Sequence, residues 1–260
     1  KSIQKMFESI QEKLSVYLTP QEKGFLMQRS FQEILEEKKA SPYHEIVMSV
    51  EVSAYLDCLL RKDRKGANDF ILQLLQNDYT IEQIFVDILQ NAMREIGRLW
   101  QVGKITVADE HMATVITQYV MTQLYPYIFG REKNGLTMVG LALGSELHEL
   151  GIRMITDLFE YHGYETHYMG ANMPLEGLFD YLVENKPNLL AVSATMTTNI
   201  SALKELISKI RADPNLEHLK ILVGGQALYG ISELAMKVGA DAYAIDAKEA
   251  LKVGDKLVKE

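Results

Sequence analysis

The stretch Leu136-Thr137-Met138-Val139-Gly140-Leu141-Ala142-Leu143, followed by Gly144-Ser145-Glu146-Leu147-His148-Glu149-Leu150-Gly151, decides the fold. A short apolar run passes into a polar, glycine-bounded turn and then into helical spacing. That is how a strand buried on both faces leads into the helix that covers it. The alternation then repeats down the chain. Leu136 to Leu143 reads as a strand and 148 to 162 as a helix; Glu165 to Met169 is a strand and 174 to 185 a helix. Leu189 to Ser193, Leu219 to Val223 and Ala240 to Ala244 supply three more strands, with helices near 199 to 212, 230 to 238 and 247 to 258. Five strand–helix units predict a doubly wound parallel sheet with helices on both faces. Such sheets bind ligands outside the carboxyl ends of their strands, at the switch point. The residues just after each strand are therefore the candidates.

Upstream, from Lys1 to about Gly130, the apolar residues recur at helical spacing. Met6, Ile10, Leu14 and Tyr17 form one stripe, and Pro20 opens a second segment with Phe25, Phe31, Ile34 and Leu35. Longer blocks follow Ser41-Pro42, roughly 47 to 61, 65 to 77, 80 to 100 and 107 to 128. Residues 1–130 are expected to form a helical bundle, with 1–45 as extra N-terminal helices. The polar run Phe129-Gly130-Arg131-Glu132-Lys133-Asn134-Gly135 reads as a linker. Residues 135–260 then form the α/β domain, Rossmann-like and flavodoxin-like in type.

Composition narrows the function classes. The 260 residues are 47% hydrophobic and 24% charged, which suits a packed core and excludes disorder or fibre. No apolar stretch approaches the roughly 20 residues of a membrane helix, and no signal-peptide pattern opens the chain, so a cytoplasmic protein without membrane contact is expected. The chain starts at Lys1 rather than methionine, which leaves room for a longer natural chain. The single Cys58 excludes disulfides and thiolate metal clusters. With 27 Lys+Arg against 35 Asp+Glu, the charge of −8 opposes a phosphate backbone, and no direct DNA binding by this chain is expected.

At the strand ends, three common doubly wound sites fail. There is no G-x-G-x-x-G for a dinucleotide, no Gly-Lys-Ser/Thr for a phosphate-cradling loop, and Ser193-Ala194-Thr195 stands where a receiver would need an aspartate. What remains is Glu146-x-His148-x-x-Gly151. A histidine with a carboxylate two residues away suits a metal ligand held by a second-shell acid, and equally a loop residue that caps the following helix. Ser193 adds a hydroxyl after the third strand, and Gly224-Gly225 removes two side chains after the fourth.

Together, Glu146-x-His148-x-x-Gly151, Ser193-x-Thr195 and Gly224-Gly225 resemble the three-part signature of the cobalamin-binding domain found in methionine synthase, corrinoid methyl carriers and cobalamin-dependent mutases. The resemblance implies that His148 replaces the cofactor's own base as lower cobalt ligand, with Glu146 behind it. The displaced nucleotide tail would run past Gly151, Ser193, Thr195, Gly224 and Gly225. Two positions depart from the commoner pattern: Glu146 stands where many members have Asp, and Thr195 where Leu is common.

In the helical half, Trp100-Gln-Val-Gly103-Lys-Ile-Thr106-Val107-Ala-Asp109-Glu110-His111 reads as a helix end and a capping-box start. It brings the sole tryptophan near a carboxylate and an imidazole. Read from the residues, Trp100 is as readily bundle core and Glu110 a solvated partner of Lys104. Trp, nine residues, then Glu-His is similar to the upper-face motif of light-sensing adenosylcobalamin photoreceptors of the CarH type. That resemblance implies that Trp100 packs over the adenosyl group, Glu110 hydrogen-bonds it, Val107 lies against it, and His111 ligates cobalt after photolysis. Adenosylcobalamin is then the expected cofactor, with methylcobalamin and hydroxocobalamin as other forms. Those photoreceptors carry a winged DNA-binding domain before the bundle, whereas residues 1–45 read as amphipathic helices. Output through a protein partner or a homo-oligomer is therefore expected. The preferred expectation is a light sensor without turnover; the alternatives are a corrinoid methyl carrier, whose upper face must stay open to partners, and a cobalamin store.

Overall fold

A computed structural model describes residues 48–143, 149–228 and 232–259. The helices expected within 1–45, and the loop residues Glu146 and His148, lie outside the described residues.

The N-terminal half is helical, and each helix start is written in its caps. Helix α1 (Val50–Leu60) begins at Ser49, whose hydroxyl accepts from the Val52 amide at 3.2 Å. Helix α2 (Arg64–Gln76) begins at Asp63, which accepts from the Gly66 amide at 2.8 Å. Helix α3 (Ile81–Gln83) opens on a Thr80–Gln83 capping box and runs through a π-helical segment, Ile84–Leu89, into α4 (Gln90–Gln101). The π segment frees backbone carbonyls, and the buried Asn91 amide donates to that of Asp87 at 2.9 Å. Helix α5 (Val107–Ile128) starts at a second box, Thr106–Asp109. Lys62 reaches Asp109 at 2.8 Å and ties the α1–α2 turn to that start. Deep in the bundle, the Tyr55 hydroxyl donates to Thr117 at 3.1 Å, so three helices enclose a satisfied polar contact that also touches Met93.

The second half is a parallel sheet of order β2-β1-β3-β4-β5. Its strands are β1 (Thr137–Ala142), β2 (Glu165–Gly170), β3 (Leu189–Ser193), β4 (Lys220–Gly224) and β5 (Ala242–Ala244). Alternation sorts the strand residues onto two faces. Val139, Leu141, Leu190, Val192, Ile221 and Val223 pack under α7 (Leu175–Asn185) and α8 (Ile200–Ala212). Met138, Ala142, Leu189, Ala191 and Leu222 pack under α6 (Leu150–Tyr161) and α10 (Ala247–Lys259). A short α9 (Ser232–Lys237) precedes β5. Gly140 lets α6 lie close, since a Cβ there would collide with the Thr156 hydroxyl.

The bundle docks on α6 and α10. Met154, Leu158 and Ala247 belong to the same apolar cluster as Ile116, Leu124 and Ile128 of α5. Gln90 caps α10 by accepting from the Ala247 amide at 3.1 Å. Arg153 donates to the Tyr125 hydroxyl at 2.8 Å, Arg131 donates to that of Tyr161 at 2.7 Å, and Glu82 lies 3.3 Å from His162.

The expected fold class, a helical bundle before a doubly wound Rossmann-like domain, is the one observed. The differences are local: β4 runs one residue further, to Gly224, and β5 begins at Ala242 rather than Ala240. The helix expected over 80 to 100 contains the π segment, which an apolar period cannot register. Among the described residues, no helix is long and apolar enough to cross a membrane.

Candidate functional site at the carboxyl edge of the sheet

The order 2-1-3-4-5 puts the switch point between β1 and β3, at the carboxyl end of β1. Register aligns the strand ends in one row: Ala142 opposite Ser193, Ser193 opposite Gly224, and Gly224 opposite Ala244. The row is stitched beyond the strands. The Leu143 amide donates to the Ser193 carbonyl at 2.8 Å, and the Ala194 amide to that of Gly224 at 2.9 Å. Ser193, Thr195, Gly224 and Gly225 are all half-buried, which keeps them at the floor of the edge rather than inside it.

The glycine pair serves the chain first. Gly225 has φ of 100°, in the left-handed region, and any Cβ there would strike the Ala194 backbone. A Cβ on Gly224 would stand 2.8 Å from the Ala244 carbonyl oxygen. Both glycines are thus required for the strand ends to lie flat against each other, which leaves a floor without side chains. Gly151 differs. It is exposed in the first turn of α6, and a Cβ there meets nothing within 4 Å. One residue at the edge carried no sequence signal. Asn199, at the end of a 3-10 turn, donates its side-chain amide to the Leu143 carbonyl at 2.9 Å and fixes the root of the loop that holds Glu146 and His148. Only the fold brings those positions together.

In the bundle, Trp100 ends α4 and Val107 opens α5, on either side of the turn at Gly103. Trp100 is 45% exposed and Val107 53%, so neither is bundle core. Val102, Met112 and Val115 extend this apolar surface. Glu110 does not serve Lys104 as a solvated partner. One of its oxygens lies 2.5 Å from Nδ1 of His111, and the other accepts from the Thr114 hydroxyl at 3.1 Å. The two residues read as an upper-face pair are therefore bonded to each other on an open helix face. Asp109 beside them is held well below the usual carboxylate range by Lys62 and by Thr106.

The arrangement fits a large, flat cofactor with a trailing chain. Two glycines leave the end of β4 without side chains, the Ser193 hydroxyl ends the neighbouring β3, a Cβ at Gly151 would meet open space, and apolar surface is displayed at the end of the bundle.

Two family models match the chain, each described as a B12 binding domain, one over residues 136–253 and the other over 52–125. Dimethylamine corrinoid protein 1 of Methanosarcina mazei is 28% identical over 172 residues, 65% of this chain and 78% of its own. A corrinoid protein of Desulfitobacterium hafniense is 24% identical over 216 residues, 80% of this chain and 99% of that one. Among solved structures, the monomethylamine corrinoid protein of Methanosarcina barkeri shares the fold with a TM-score of 0.70 at 21% identity, over 78% of this chain and 96% of the other. Fold, edge and matches together define a cobalamin-binding protein built of a helical bundle and a Rossmann-like domain. Both halves of the chain thus match B12 binding domains, which places it in the wider superfamily of cobalamin-binding domains.

The light-sensor expectation is corrected by the curated relatives, which are named as corrinoid proteins, several of them for dimethylamine, and not as photoreceptors. The physical reason is local. The spacing from Trp100 to Glu110-His111 is what a glycine-ended helix followed by a capping box produces, so the motif reports a helix junction before it reports any chemistry.

Proposed function

We propose that the chain is a corrinoid methyl carrier, which holds a methyl group on cobalamin between two partner enzymes and does not turn over substrate alone. The observation that carries this reading is the kinship of both halves with corrinoid proteins whose names refer to dimethylamine. The exposure of Trp100, Val107 and Met112 supports it, because a carrier must present its reactive face to partners. His148 would hold the cobalt from below with Glu146 behind it, and Gly151, Ser193, Thr195, Gly224 and Gly225 would take the nucleotide tail. Trp100, Val107, Glu110 and His111 would border the upper face. When bound, cobalamin supplies a metal centre that accepts a methyl group from one substrate and releases it to another. The chain's own residues orient that centre, keep its lower side dry and leave its upper side accessible. Methylcobalamin is the working form on this reading, and the partners are methyltransferases that supply the substrate specificity.

The test loads the chain with hydroxocobalamin, reduces it with titanium(III) citrate and adds iodomethane. A carrier is expected to be methylated and then to pass the methyl group to a thiol acceptor when a corrinoid methyltransferase is added. A loaded protein that resists iodomethane after full reduction has a closed upper face, and that result would overturn the reading.

A further inference from the structure

Beside its apolar stripe, α6 carries a row of ionisable side chains. Arg153, Asp157 and Glu160 follow Glu149 at steps of three and four, which sets them along one flank. That flank faces β2 and the seam with α5. At its far end, Glu160 accepts from Lys133 of the linker and, at 2.7 Å, from the Thr166 hydroxyl. In its middle, Arg153 donates to the Tyr125 hydroxyl of the bundle at 2.8 Å.

Asp157 departs from this pattern of pairing. It is only 7% exposed, and its Oδ2 has no hydrogen-bond partner. The Tyr168 hydroxyl of β2, also buried, lies beside the negative charges of Glu149 and Asp157. Burial pushes the Asp157 carboxyl up to about 7, opposed by the positive charge of Arg153 and aided by the negative charge of Glu160. The titratable groups around it are therefore Arg153 and Glu160 on its own helix, Tyr168 on β2 with Glu149 beside it, Tyr125 on α5, and Lys133 beyond Glu160. A neutral acid is tolerated in this position, whereas a carboxylate needs a partner. The nearest cation on the same helix is Arg153, one turn away, and its Nη2 donates to Tyr125.

We propose that Asp157 is a proton-operated latch between the bundle and the sheet domain. With the acid neutral, Arg153 stays on Tyr125 and the seam is closed. Once the proton has left to solvent, the carboxylate draws Arg153 along α6, away from Tyr125, and the bundle loosens from the helix that leads out of the cofactor loop. The folded state raises this group's pKa, so the closed seam is fully held below the ordinary carboxylate range. It weakens as pH rises through about 7. This inference does not depend on which substrate the protein serves.

A second contact across the seam involves a histidine, the pair of His162 and Glu82, so the test uses the full chain in a His162→Gln background. Hydrogen exchange, corrected for its chemical rate, is followed on α6 and on residues 129–136 at about pH 5.5 and 8.5. Protection is expected to be several-fold lower at the higher pH, and Asp157→Asn is expected to abolish that difference. Tyr125→Phe is expected to lower protection at the lower pH. An unaltered pH difference in the Asp157→Asn protein, or no loss in the Tyr125→Phe protein, overturns the latch. Should the Asp157 variant fail to fold, the carboxyl carbon of Asp157 is titrated by NMR in the parent chain. A midpoint near 7 is expected, and one below about 5 overturns the proposal.

Discussion

Asn199 and Leu143 are bonded across the carboxyl edge of the sheet, the side-chain amide of one donating to the main-chain carbonyl of the other at 2.9 Å. They stand 56 positions apart in the chain. The bond ties the turn after β3 to the residue at the root of the loop with His148. Asn199→Ala leaves a partly buried carbonyl unserved, at a cost of about 1–2 kcal/mol. If that cost falls on the geometry of the loop, cobalamin binds roughly 5- to 30-fold more weakly while the melting temperature changes little. Isothermal titration with hydroxocobalamin checks this, and unchanged affinity would remove Asn199 from the site.

The same substitution at two glycines separates a residue needed by the fold from one proposed for the site. Gly225→Ala forces a Cβ into the Ala194 backbone at a left-handed φ, and a loss of at least about 2 kcal/mol in stability is expected. Gly151→Ala meets open space in a helix, where alanine is favoured by about 0.5–1 kcal/mol. Its melting temperature should hold or rise while cobalamin affinity falls. A Gly151→Ala protein that keeps full affinity shows that the nucleotide tail runs elsewhere.

His148→Ala tests the lower ligand directly. Binding is expected to weaken, and the bound cofactor should show the spectrum of cobalt without a nitrogen beneath it. Absorption spectra of the parent and variant complexes decide the matter. Identical spectra and affinities would end the assignment of His148.

The start of α5 carries a pH signature of its own. Lys62 and Thr106 hold the Asp109 carboxyl well below its usual range. A depressed acid contributes stability that is present above its unfolded pKa of roughly 4 and is lost as pH falls below it. The melting temperature of the parent should therefore exceed that of Asp109→Asn between about pH 5 and 8, with the gap closing below about pH 4. Because the Lys62–Asp109 pair is solvent-exposed, the gap should also narrow in high salt. A gap that ignores both variables means the carboxylate acts only as a helix cap.

Much of this was legible from local pattern. Short apolar runs and helical spacing place the strands and most of the helices, and Thr106 with Asp109 announces a helix start by side chains that bond within three residues. The carboxyl-edge candidates followed from topology, since a parallel sheet needs its loops there. Asn199 and the buried, unpaired oxygen of Asp157 were not legible, because the bond of the one and the burial of the other depend on elements distant in the chain. The π segment over Ile84–Leu89 was hidden for another reason: its residues are apolar at either helical pitch. Trp100, Glu110 and His111 were found as a cluster, but a cluster at a helix junction does not reveal which chemistry it borders. The B12-binding matches over 52–125 and 136–253 bear on that question more directly than the motif.

Met154, Leu158 and Ala247 come from the sheet domain, yet they lie in one apolar cluster with the interior of the bundle, and Gln90 supplies a cap to α10. The two halves consequently form a matched set rather than interchangeable parts. A sheet domain transplanted onto a foreign bundle would carry an unsatisfied helix start and a wet apolar flank, so exchange between relatives, in evolution or at the bench, must move both halves together or rebuild the outer face of α6.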